Sequence, residues 1–254
     1  IVCLARPELL ERRSTWGGGI RNASLVELTR LEAAGATKML EALLDGPLPK
    51  SISERLVAVS GGNPLFTEEL VRMYMDQGVL RVVDSRWRFS RPPSEIEVPS
   101  SVQAVLAARL DELSVSEKRA AQEASVIGRI FWDVILASLR EASVHDIEGE
   151  LQQLRRKELV VPRSPSSLQH AAEWSFHHVL VRDVAYESLP KAERARLHLG
   201  VARWAEHELA GRLEEHAELV ASHKAAALGY EEELRSGAAE APSLTTLRSE
   251  VLAA

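Results

Sequence analysis

A chain of 254 residues with 31 Lys and Arg against 37 Asp and Glu, a formal charge of −6 and 45% hydrophobic side chains can bury the core of one large or two to three small domains. That composition excludes disordered and fibrous classes, and the mild acidity argues against a general nucleic-acid binder, whose field is normally basic. The single cysteine, Cys3, can form no internal disulfide. Packing must therefore hold the fold, the usage expected of a reducing, cytoplasmic compartment. No apolar run approaches the roughly 18–20 residues of a membrane span, and no membrane partner is expected.

The chain opens Ile1-Val2-Cys3-Leu4-Ala5, an apolar run that reads as the inside of a buried strand. Nothing in the next stretch supplies its partners, so it is expected to be the remnant of a larger α/β domain. Pro7 ends pairing and leaves Arg6 at the strand's carboxyl end, the edge where open α/β sheets bind ligands. Thr15-Trp16-Gly17-Gly18-Gly19 reads as a plain loop, since no strand leads into it and it lacks the G-x-G-x-x-G spacing.

Leu31, Met39, Leu40, Leu43 and Leu44 recur at helical spacing, and Asp45-Gly46-Pro47 closes that helix. Ser51 with Glu54 has the form of a capping box for a second helix ending near Ser60. Gly61-Gly62-Asn63-Pro64 then breaks the chain. Asparagine is a good N-cap and proline suits the first helical position, so a third helix is expected from Pro64 to about Asp76, stopping near Gly78. Residues 79–83 and 87–89 are rich in β-formers around Asp84-Ser85-Arg86 and predict a hairpin. Arg91-Pro92-Pro93-Ser94 reads as a linker.

A second unit begins at Val98-Pro99. Val102, Val105, Leu106, Leu110 and Leu113 make an apolar helical face, and Ser114 with Glu117 predicts a capping box on a helix ending near Gly128. Phe131 to Leu139 reads as a short helix. Ser143 caps the next, with Ile147, Leu151 and Leu154 on its apolar face. Strands follow at Leu159–Pro162 and Glu173–Phe176 around a polar tip. Three helices before a two-stranded wing is a winged-helix order. Beyond it the pattern is helical: residues 179–189, then Leu197, Val201, Trp204 and Leu209 on one face, then 213–228, with a turn-rich stretch from Gly237 to Ser243. No repeat of roughly 34 residues is demonstrable, although paired helices at the end suit the start of such an array.

With these elements placed, the sequence resembles the STAND class of AAA-related signalling ATPases. It is similar in particular to bacterial proteins that join such an ATPase to a class III cyclase or LuxR-type output and to tetratricopeptide-like repeats. The resemblance rests on Ala5-Arg6-Pro7-Glu8, on Gly62-Asn63-Pro64-Leu65-Phe66 with Glu68-Glu69-Leu70, on Val98-Pro99-Ser100-Ser101-Val102, and on residues 176–186, which begin Phe176-His177-His178. It implies a mainly α fold: the end of an α/β NTPase core over residues 1–20, a helical lid with a small hairpin over 21–97, a winged helix over 98–190 and a repeat-like helical segment over 191–254. It also implies that Gly62, Asn63 and Pro64 contact a nucleotide, ATP or ADP, with Mg²⁺ held by an upstream core. A helix N-terminus suits a phosphate and a proline ring offers an apolar wall to a base. His178 takes the place of a histidine that touches the ADP phosphate in related switches, whereas Val179 and His177 depart from that pattern. Arg6 is a candidate sensor of the terminal phosphate.

Hydrolysis needs a phosphate-cradling G-x-x-x-x-G-K-[ST] loop and an acidic Mg²⁺ ligand, and no Gly-Lys pair occurs in the chain. The expectation is a non-catalytic regulatory part that works with an upstream NTPase core, in a parent that is a slow ATPase switch with a cyclase or transcriptional output. Asp111-Glu112 reads as a solvated turn. His207, His216 and His223 lack metal-ligand spacing. A rival reading makes Glu150–Lys157 a DNA-recognition helix, but Asp146, Glu148 and Glu150 offset Arg155-Arg156-Lys157, so direct nucleic-acid binding is not expected. A third reading treats the C-terminal helices as a scaffold for protein partners.

Overall fold

The structure, a computed structural model, describes residues 3, 5, 9, 12–16, 22, 24, 26–84, 86–92, 96, 99–210 and 213–235, with side chains of the last helix from 217 onward. Among them are ten helices and five short antiparallel strands. Cys3 and Ala5, the described members of the opening apolar run, are exposed and in no strand, contrary to the buried strand expected there. Arg6 lies outside the described residues.

Three helices come first: α1 (Ala33–Leu43), α2 (Lys50–Ser60) and α3 (Pro64–Asp76). The expected capping box on α2 does not form. Its N-cap is Pro49 and has no side chain to offer, while Glu54 instead reaches back one turn to Lys50 at 3.7 Å. The start of α3 is as the residues dictate, with the Asn63 side chain accepting from Phe66 N at 3.2 Å and Pro64 in the first turn. Strands β1 (Leu80–Val83) and β2 (Arg86–Phe89) form the hairpin, in register Leu80 to Phe89. Its inner face is anchored by an edge contact of Phe89 with Tyr74 and by the indole of Trp87 donating to Leu44 O at 3.1 Å.

The second group is α4 (Val102–Asp111), α5 (Val115–Ile127), β3 (Ile130–Trp132), α6 (Asp133–Leu139), α7 (Val144–Arg156), β4 (Val160–Arg163) and β5 (Glu173–Phe176). The Ser114–Glu117 box on α5 is made in both directions, as is a Ser143–Asp146 box on α7, each worth about 1 kcal/mol. One sequence expectation is corrected. Residues 130–132 are a strand, not the start of a helix, and the sheet has three strands in the order β3-β5-β4 rather than two. Phe131 pairs across from Trp174 and its ring sits 5.4 Å from that of Phe176. An Ile-Phe-Trp run that can bury an aromatic against a strand gains more there than in a helix. The helix starts only at Asp133, whose carboxylate accepts from Val134 N and from Ala172 N, tying α6 to the approach of β5.

Then follow α8 (Val179–Glu187), α9 (Lys191–Glu208) and α10 (Leu213–Leu234). The last two are antiparallel: Lys191 pairs with Glu233 near one end, and Ala205, Leu209 and Val220 pack near the other. Gly200 lets α9 approach α6 closely, since a Cβ there would lie 2.5 Å from Leu139. A single apolar core runs from Leu40 in α1 to Val201 in α9, so the two helical groups pack as one body. No helix among the described residues is long and apolar enough to cross a membrane.

The turn before α3 depends on glycine. Gly62 has φ +73°, and a Cβ on it would fall 2.2 Å from the backbone oxygen of Leu31, whose own N–H donates to Gly62 O at 2.8 Å. Because neither strand of that contact is a flexible side chain, Gly62→Ala is expected to destabilise the protein by at least ~1 kcal/mol, the cost of left-handed backbone alone. Gly46→Ala, which meets nothing within 4 Å, serves as the control in urea titrations of both variants.

Candidate functional site

The residues singled out from the sequence fall at two places. Gly62, Asn63 and Pro64 form one turn, with Gly62 buried, Asn63 half-buried and Pro64 exposed. That turn spends most of its donors internally. Phe66 N goes to the Asn63 side chain, Thr67 N to Asn63 O, and the Thr67 hydroxyl donates to Asn63 O at 2.9 Å. Pro64 has no N–H, so Leu65 N is the first-turn donor left without a hydrogen bond among the described residues. An anion at this helix start would therefore meet one free N–H and an exposed proline ring, fewer donors than a helix terminus can present.

His178 is the N-cap of α8 and half-buried, its Nδ1 accepting from Leu180 N at 3.4 Å. In the neutral ring that bond leaves the proton on Nε2, which is then the donor. The neighbouring His177, which the sequence reading set aside, makes the contact between elements: its Nε2 lies 4.0 Å from Glu68 on α3. Glu68 follows Pro64 by four residues and so shares its helix face, one turn of about 5.4 Å further on. The turn at Gly62–Pro64 and the junction at His177–His178 thus approach one another at Glu68.

Around Glu68 lies a network of charges that the sequence did not announce. Arg72 bonds Glu68 at 2.7 Å and Glu158 at 2.6 Å. Beneath them Glu69 and Arg109, 1% and 5% exposed, form a buried pair between α3 and α4. Arg109 also donates to Lys157 O at 2.7 Å, answering a carbonyl at the end of α7 where a positive charge is favoured by the helix dipole, and lies 3.5 Å from Asp76. Lys157 in turn holds Glu117 at 2.8 Å. Burial opposes ionisation of Glu117, but Lys157 and the Ser114 bonds win and hold its carboxyl below the usual range. A cleft of about 240 Å³ opens beside this network, lined by Asp76, Arg109, Glu112, Leu113, Lys157 and Leu159. Asp111 and Glu112 face solvent, as expected of a turn, held by Lys118 and Gln77.

A second polar cluster, also missed, joins α8, α9 and α10. His198 Nδ1 meets His223 Nδ1 at 2.8 Å, His198 Nε2 meets the Tyr186 hydroxyl at 2.8 Å, and that hydroxyl meets Tyr230 at 2.9 Å. Arg194 lies over both tyrosine rings and donates to Tyr230. One assignment satisfies every group: Arg194 to Tyr230, Tyr230 to Tyr186, Tyr186 to His198, and His198 to His223. Burial is the main reason that both histidines are held down to about 4. Among the described residues no group of three or more His, Cys, Asp or Glu is placed to hold a metal ion.

Two outcomes follow. Arg109→Met leaves Glu69 charged and buried, and is expected to cost about 3–5 kcal/mol in urea unfolding, with much of that recovered in the Glu69→Leu/Arg109→Met double variant. The buried histidines bind fewer protons folded than unfolded between pH ~4 and ~6.5. Their contribution to stability is therefore complete above pH ~6.5 and lost as the pH falls toward ~4; His223→Gln should reduce that slope of Tm on pH by about half. Neither a family model nor a curated protein matches this chain.

Proposed function

We propose that this chain is the regulatory lid and winged-helix part of an ATP-dependent signalling switch of the STAND class, acting on a nucleotide held by an upstream P-loop core. The observation that carries the reading is the approach of His177 Nε2 to within 4.0 Å of Glu68, one helical turn from Pro64, which brings the turn at Gly62–Pro64 and the strand-helix junction close to one another beside the Glu68–Arg72–Glu158 ion pairs. The helix, strand and wing order of residues 115–176, with its antiparallel sheet β3-β5-β4, supports the winged-helix part. In this reading Pro64 and Leu65 N line one side of the nucleotide and His178 Nε2 donates to a phosphate oxygen. Arg6 reads the terminal phosphate, and Mg²⁺ belongs to the core. The chain itself supplies no phosphate-cradling lysine loop and is not catalytic alone.

A nucleotide shifts such a switch only by binding its two arrangements differently. The charged network gives the arrangements a physical basis, because α3 cannot tilt from α4 and α7 without separating Glu69 from Arg109 or Arg72 from Glu158. ADP would hold the closed form, and ATP the open one, with the output in a cyclase or transcriptional domain and protein partners on the helical repeats that begin at α9.

In the protein joined to its upstream core, Pro64→Ala and His178→Ala are each expected to speed ADP release about tenfold, the loss of one good contact, with the fold intact by circular dichroism. Stopped-flow release of a fluorescent ADP analogue checks this. Unchanged affinity and release in both variants would remove the assignment. By calorimetry, the chain alone should bind ATP and ADP only weakly.

A further inference from the structure

The hairpin β1–β2 carries a concentration of positive charge that the rest of the fold does not use. Arg81, Arg86, Arg88 and Arg91 are all exposed, and none makes an ion pair among the described residues of a chain whose formal charge is −6. Arg81 lies directly across from Arg88, an arrangement in which like charges repel. Alternation along the strands puts Arg81, Arg86 and Arg88 on one face, opposite the face on which Trp87 and Phe89 pack. Successive arginines on β2 are therefore about 6.6–7 Å apart.

Among the described residues the edge beside them is open. Ser90 N donates to Val79 O at 2.8 Å, which makes that pair, and by alternation the pairs at 81/88 and 83/86, the hydrogen-bonded ones. The backbone N–H and C=O of Trp87 and Phe89 then turn outward, away from β1, and are paired with nothing among the described residues. They face a groove of about 480 Å³ between β2 and the start of α2, in which the exposed Pro49 and Pro92 supply apolar surface and Arg86, Arg88 and Arg91 supply charge.

We propose that this groove binds an extended acidic peptide that adds to β2 as a third strand. Main-chain bonds to Trp87 and Phe89 supply its register, as in strand addition elsewhere. Its carboxylates, recurring at every second residue with the same spacing as the arginines, are held by the guanidinium forks of Arg86 and Arg88. Its intervening residues are apolar and rest toward Pro49. The inference is independent of any nucleotide.

The test is fluorescence anisotropy of the full chain with a short labelled peptide of alternating glutamate and valine. Saturable binding that weakens with salt is expected, and none with lysine in place of glutamate. The same peptide N-methylated at alternate residues should fail to bind, because its strand-forming N–H groups are gone. Arg86→Glu/Arg88→Glu, which alters only exposed side chains and should leave the Tm unchanged, is expected to weaken binding at least about tenfold. Three results would overturn the proposal. One is peptide binding that survives charge reversal or N-methylation. Another is no peptide binding at all, which reduces the arginines to a guard against edge pairing. The third is a labelled oligonucleotide that binds in the peptide's stead and is lost in the same variant.

Discussion

A guanidinium taken out of water must have its charge answered, and Arg109 meets that demand through its two terminal nitrogens, while its Nε lies 3.5 Å from Asp76 without a hydrogen bond. Its charge is met by Glu69 from α3 and its donors also reach Lys157 O at the end of α7. Three elements distant in sequence are thereby fixed to one point. A buried ion pair adds little net stability over a well-packed apolar pair, but it is costly to half-remove. Its value lies in position: an apolar contact between α3 and α4 tolerates sliding, whereas a carboxylate and a guanidinium do not.

The position of α3 is what the rest of the first helical group transmits. Its start is determined by Gly62, Asn63 and Pro64, its middle by Glu68, Glu69 and Arg72, and its end by Asp76 beside Arg109. A force applied at Pro64 reaches Glu158 and Lys157 O through rigid helix and short polar bonds, without crossing a loop. On the proposed reading this is how a nucleotide at one end of α3 would be felt by the wing at the other. The motion would be bistable, because the charges at its base are either paired or stranded.

Charge is handled in three ways along the chain, and burial decides which. At the α3–α4 junction it is buried and paired. Between α9 and α10, His198 and His223 are buried and kept neutral, so that they hydrogen-bond each other and His198 bonds Tyr186 in place of repelling. On the β1–β2 hairpin it is exposed and left uncompensated, which costs little in water and leaves the arginines available to an outside partner.

Much of the local structure was legible in the residues themselves. Asn63-Pro64 starts a helix, Ser114 with Glu117 and Ser143 cap two others, and residues 80–89 fold into a hairpin, because each of these is decided by bonds within a few positions of sequence. Where the residues misled, a distant neighbour had the final say. Ile130–Trp132 became a strand because β5 was there to receive it, and Ser51 lost its capping role to a start set two residues earlier at Pro49. The Glu69–Arg109 pair, the His177–Glu68 contact and the His198–His223 pair have no sequence signal at all, since their members are 40, 109 and 25 positions apart. Sequence alone determined which segments could be helix or strand and which faces were apolar. Only the tertiary structure decided which charges were taken from water together, because desolvation is a property of the surroundings a side chain ends in and not of the side chain.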